Sequence, residues 1–197
     1  MSLRRSSLLI LSKRPLSRAT ADSPPQTVGP MSTSILSLVP LTALAMLVHE
    51  LGHLFAARAS KVSASELGLG FGPKLVGFRI GNIRFSLRGI PLGSFVRLDG
   101  TALKEKSVRQ QLNVHLAGVT FNLIAGLASY GSMFGWINLL IAAGNLLPLY
   151  QHDGWKCGLV IMRALMRRKS QPAEWALTFS GGFLSLVIAV AVIRAFI

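Results

Sequence analysis

The chain has 197 residues, a length suited to one domain, but its mean hydropathy of +0.51 and a charged fraction of only 14% exclude an ordinary soluble domain. The net charge of +14 does not indicate a nucleic-acid binder. Of the 21 Lys and Arg, five fall in residues 1–30, ten between Arg58 and Arg109, five between Lys156 and Lys169, and one is Arg194, so they flank apolar runs and form no nucleic-acid module. The composition is that of an integral membrane protein with basic juxtamembrane anchors, and the single cysteine, Cys157, excludes an intramolecular disulfide.

Residues 1–30 are rich in Arg and Ser, carry no acid before Asp22 and pass through Ser23-Pro24-Pro25 to Pro30. They read as a basic leader outside the core, with three alternatives: an organellar transit peptide, a stretch upstream of a true start at Met31, or a disordered basic tail on the membrane surface. Residues 31–197 form the expected functional domain. Its first apolar run, Ile35 to Ala57, is long enough to span a bilayer, with Pro40 as an expected kink.

Towards the end of that run stands His49-Glu50-Leu51-Gly52-His53. On a helix, residues four apart share a face, so the two imidazoles can converge on one metal ion with Glu50 beside them. Two His and an adjacent carboxylate form the metalloprotease constellation, in which zinc lowers the pKa of its bound water and the Glu accepts the proton. Ionisable groups inside a bilayer cost about 2.5–3.5 kcal/mol each on insertion scales, so they need a partner or a function. A pair of histidines that merely hydrogen-bond in a bundle leaves Glu50 unexplained.

The basic segment from Arg58 to Arg109 is expected on the cytoplasmic side or its organellar equivalent, which displaces the site towards that face. Within it, Leu75–Ile80 and Ile83–Leu87 alternate around Gly81-Asn82, a hairpin signal. It reads either as a surface hairpin or as a sheet edge that captures an extended substrate. Gln110 to His152 contains no charged residue, and holds two expected spans, about Leu112–Tyr130 and Met133–Leu149, joined at Gly131-Ser132 with no room for an inserted domain. Asp153 follows, either a third ligand that leaves one metal position open for water or a helix-end or turn aspartate before Gly154. Residues 155–172 read as an amphipathic inner-surface helix and Trp175–Ile193 as a fourth span.

Together, His49–His53, Gly118–Asn122, and Asn145-Leu146-Leu147-Pro148 with Asp153-Gly154 resemble the motifs of the site-2 protease family of intramembrane zinc metalloproteases. Gly70–Lys74 and Pro91–Val96 resemble that family's membrane-associated β-hairpin region, and the likeness covers Met46 to about Arg163. It implies an α-helical membrane protein of about four spans with a small β-hairpin region between the first two. It also implies Zn2+ held by His49, His53 and Asp153, Glu50 as general base, and Asn122 and Asn145 as polar groups that position substrate. The expected substrates are single-span membrane proteins cut within their transmembrane segments, and the expected partners include the lipid bilayer and no nucleic acid. The alternative is an inactive relative that binds metal and a membrane partner. The expected location is a bacterial cell membrane, or an organellar one if residues 1–30 are a transit peptide. Val119, Tyr150 and His152 depart from the family's pattern. His152 is expected at the aqueous boundary or hydrogen-bonded to Asp153, and His115 as a packing or boundary residue.

Overall fold

The computed structural model describes residues 35–166 and 170–196, so the leader and the basic triplet 167–169 lie outside the described residues. Six helices and a β-ribbon follow in the order α1 (Ile35–Ala59), β1 (Ala64–Ile80), β2 (Ile83–Leu98), α2 (Gly100–Lys104), α3 (Val108–Ala128), α4 (Met133–Leu146), α5 (Asp153–Met166) and α6 (Gln171–Phe196).

Polar caps set the helix starts. Asp99 accepts the Thr101 and Ala102 N–H groups at 3.0 Å to open α2, while Ser107 and Gln110 form a reciprocal capping box at α3. Ser132 caps α4. Pro40 is contained within α1.

The helices are apolar outside and polar inside, the reverse of a soluble bundle. Leu44 and Phe55 of α1, Ile124 and Leu127 of α3 and nearly every large residue of α6 are exposed, whereas three of the four largest fully buried side chains are Asn122, Asn138 and Asp153. Such a surface fits lipid as solvent. Helices α1 and α3 approach closely at Gly52, where a Cβ would strike the Ala117 carbonyl and sit 3.0 Å from the Gly118 Cα. Beneath the ribbon, Ala57, Val62, Leu103 and Val114 pack into a small apolar core.

Among the described residues two helices are long and apolar enough to cross a membrane, within Ser37–Ala59 and Gln171–Ala195. These are the first and last of the four expected spans. Helix α3 has the length, about 31 Å, but is less apolar, and α4 has only 14 residues, about 21 Å, short of a ~30 Å hydrocarbon core. The expected third span therefore ends early. Pro148 lacks an N–H, Leu147 is extended, and a turn through residues 147–152 leads into α5.

The hairpin forms where its turn residues place it, with Ile80 opposite Ile83 across Gly81-Asn82. It is longer and more folded than two alternating runs suggest. Residues 74–80 pair with 83–88, and Leu67 pairs on both sides, with Val96 and with Phe85. The register from Glu66↔Arg84 to Leu69↔Leu87 rises together in both segments, so each long strand folds back on itself. The folds fall at Gly70 (φ +90°) and Gly93 (φ +111°), left-handed positions that a Cβ would strain. Inside the ribbon, Glu66 is buried, and the Ser86 hydroxyl donating at 2.7 Å, with Arg88 and Arg97 nearby, holds its carboxyl below the usual carboxylate range against the opposing pull of burial.

Candidate metal centre

Helix α1 presents His49 and His53 one turn apart towards α3, and both are buried. The hydrogen bonds of their Nδ1 atoms fix which nitrogen carries the proton. His53 Nδ1–H donates to the Val114 carbonyl at 2.7 Å, where only a donor fits. His49 Nδ1 meets Asn122 Oδ1 at 2.6 Å. The Asn122 amide is itself oriented, because its Nδ2 donates to the Ala45 carbonyl at 3.0 Å and to Asn138 Oδ1 at 2.7 Å, leaving Oδ1 to accept. Asn138 is anchored in turn by donation to the Phe134 carbonyl at 2.9 Å. The Phe134 and Ala45 carbonyls together set the direction of the hydrogen bonds from α4 through α3 to His49.

With each neutral imidazole protonated at Nδ1, both Nε2 atoms carry bare lone pairs. They point at each other, 3.1 Å apart, and at Asp153 Oδ2, which lies 2.9 Å from His49 and 3.1 Å from His53. Three electron-rich atoms this close repel unless a cation lies among them. The edges of a tetrahedron with zinc-like bonds of 2.0–2.1 Å are about 3.3–3.4 Å, so the triangle is near the size such an ion requires. Gly118 completes the cradle. A Cβ there would meet His53 Nε2 at 2.6 Å and His49 Nε2 at 2.7 Å. His49, His53 and Asp153 therefore form a site fitted to a divalent metal.

Asp153 reaches this point because it is the first residue of α5, whose opening turn lies directly against α4: a Cβ on Gly154 would strike the Leu146 carbonyl. Just before it, Gln151 takes the left-handed conformation at φ +73°. Asp153 is thus a helix-start residue whose carboxylate also reaches the two imidazoles.

The three ligands open onto a cavity of about 600 Å³ that Glu50, Phe71, Ser94, Val96, Asn145 and Lys156 help to line. Glu50 is half-buried and makes no hydrogen bond or ion pair with a described residue. Asn145 stands on the cavity wall, its Nδ2 donating to the Ile141 carbonyl at 3.0 Å. Asn122 is fully buried behind His49 and is not part of that wall, so its place is that of an orienting partner rather than a substrate group. His152 neither ligates nor bonds Asp153; its Nδ1 lies 3.3 Å from the Tyr150 carbonyl. His115 lines the cavity. Two contributors escape a reading of the sequence: Asn138, whose partner is sixteen residues away, and Lys156, whose ammonium donates to Asp153 Oδ1 at 2.9 Å. Their only local signal is polarity in an apolar stretch.

The relay predicts a graded effect. Asn122→Ala removes the acceptor that fixes the His49 tautomer, and metal affinity is expected to fall by about 10–100-fold. Competition with a fluorescent chelator measures this directly. Asn138→Ala is expected to act in the same direction more weakly, because Asn122 keeps its bond to Ala45.

The model of the family described as Peptidase family M50 matches residues 37–134, a segment that includes His49, Glu50, His53 and Asn122 and stops short of Asp153. A Clostridium perfringens protein provisionally named a zinc metalloprotease is 35% identical over 101 residues, 47% of this chain and 30% of its own length. Similar proteins of the same provisional name occur in Clostridium acetobutylicum, 34% identical over 87 residues (40% of this chain, 26% of the relative), and in Chlamydia trachomatis, 41% identical over 70 residues (34% and 11%). The aligned segment of this chain thus spans less than a third of the length of these relatives.

Proposed function

We propose that the chain, which matches the model of peptidase family M50 over residues 37–134, is a zinc-dependent endopeptidase that cuts the transmembrane segments of single-span membrane proteins. The observation that carries this reading is the convergence of two imidazole lone pairs and a buried carboxylate on a point that opens into the same cavity as Glu50. A structural zinc site closes itself with four protein ligands, whereas three ligands and a cavity suit catalysis.

A zinc ion held by His49, His53 and Asp153 supplies a Lewis acid and a water of lowered pKa. The chain does the rest. Glu50, on the cavity wall, takes the proton from the attacking water and returns it to the leaving amine. The Asn122–Asn138 relay and the Val114 carbonyl hold the imidazoles in one tautomer and orientation. A helical substrate has its carbonyls bonded internally and must be extended to be cut. Residues 94–98 of β2 pair with β1 on one side only, and Ser94, Phe95, Val96 and Leu98 line the cavity, so their outer edge is placed to hold an extended segment by strand addition.

The reading includes four membrane crossings, with α3 and α4 added to α1 and α6 and the polar interior screened from lipid. On this reading the basic residues of the ribbon face inward, as the positive-inside rule favours, and the membrane is a bacterial cell membrane, or an organellar one if the leader is a transit peptide.

Glu50→Gln tests the proposal against an inactive relative that only binds metal. In detergent, with single-span model substrates, the variant is expected to keep about one zinc per chain and to lose cleavage by about 10²–10⁴-fold, the usual worth of a general base. A wild-type protein that holds zinc and cuts no member of a broad substrate panel, with Glu50→Gln indistinguishable from it, would support the inactive relative instead.

A further inference from the structure

The two carboxylate oxygens of Asp153 have different partners. Oδ2 faces the two Nε2 atoms at 2.9 and 3.1 Å, and Oδ1 accepts from the Lys156 ammonium at 2.9 Å. The division follows from α5 starting at Asp153. Residues three apart in its first turn share a face, and Lys156, with 36% of its side chain exposed, reaches the carboxylate from the cavity wall.

A carboxylate meets a cation through one oxygen or both, and the choice decides how many positions remain. With Oδ1 engaged by a charged donor, one oxygen is left to face the metal. We propose that Lys156 is a positioning residue that holds Asp153 monodentate and so reserves the cavity-side coordination position for water. The proposal rests on the zinc reading above. Without Lys156, Oδ1 is a buried acceptor lacking a donor, and rotation of the carboxylate brings that oxygen to the cation instead.

Cobalt(II) substitution of the full chain in detergent tests this, since the intensity of its visible bands falls as coordination rises from four to five. Wild type is expected to give a four-coordinate spectrum. K156M is expected to give the weaker five-coordinate one, with kcat down by about 10–100-fold, the range that outer partners of metal ligands command, and KM little changed. K156R and K156Q each retain an N–H donor and are expected to keep the wild-type spectrum. A five-coordinate wild type overturns the proposal even if K156M does not fold. So does K156M with a wild-type spectrum, or K156R with the altered one. A wild type that takes up no cobalt overturns the zinc reading itself, and this proposal with it.

Discussion

Asp153→Ala is expected to purify without stoichiometric metal and to show no cleavage. Loss of an orienting partner such as Asn122 is worth about 10–100-fold in metal affinity, and loss of a ligand exceeds that. Among the described residues it contributes the only negative charge in contact with the imidazoles, and its removal leaves two facing lone pairs with nothing to draw a cation between them. It also strands the Lys156 ammonium, whose ion pair among the described residues is with Asp153. Atomic absorption on the purified variant, with circular dichroism to show that its helices persist, is the deciding pair of measurements. A variant that still holds one tightly bound zinc per chain would remove Asp153 from the ligand set. The contrast with Glu50→Gln is diagnostic, because one variant loses metal and activity together and the other loses activity alone.

Gly118→Ala is expected to be nearly as damaging, although it adds a single methyl group to a helix. The new Cβ lies 2.6–2.7 Å from the ligand nitrogens, well inside contact distance, and neither imidazole can yield freely. His49 is held at Nδ1 by Asn122, and His53 by the Val114 carbonyl one turn before Gly118 itself. Relief requires α1 and α3 to separate, where they already meet through Gly52, or requires both ligands to leave their positions. Overpacking of this kind costs about 1–3 kcal/mol, and here the metal affinity carries the strain as well. Gly144→Ala is the control. Nothing lies within 4 Å of a Cβ there, and the substitution is expected to be neutral or to stabilise α4 by up to about 1 kcal/mol. Zinc titration and thermal unfolding of the two variants side by side check the prediction. Equal metal affinity in both would show that α3 does not press against the ligands.

What the sequence reveals of this centre follows from where its signals are local. His49, Glu50 and His53 are legible because a helix converts a spacing of four into a shared face, and because an acid in an apolar run is too costly to be incidental. The hairpin turn is legible for the same reason: Gly81-Asn82 and the alternation around it are a short-range code. The folding back of β1 and β2 at Gly70 and Gly93 is not, since those glycines are interpretable only once the strands they bend are known. Asp153 is half legible. Its residue type suits a ligand, but its reach depends on α4 ending at Leu146 and α5 beginning at Asp153, boundaries that Pro148 hints at without fixing. Asn138 and Lys156 are the least legible. One finds its partner across a helix interface and the other across a helix start, and neither distance leaves a period in the sequence.

The centre draws its ligands from opposite ends of the fold. His49 and Asp153 are separated by 104 residues, and α1, the ribbon, α3 and α4 all leave the ribosome before Asp153 does. A nascent chain therefore carries two imidazoles, their orienting amides and Glu50, but not the residue that closes the triangle. Synthesis itself acts as a safety catch. No product interrupted before residue 153 contains all three converging side chains, so a metal centre can assemble only after most of the enclosing bundle has been made around it.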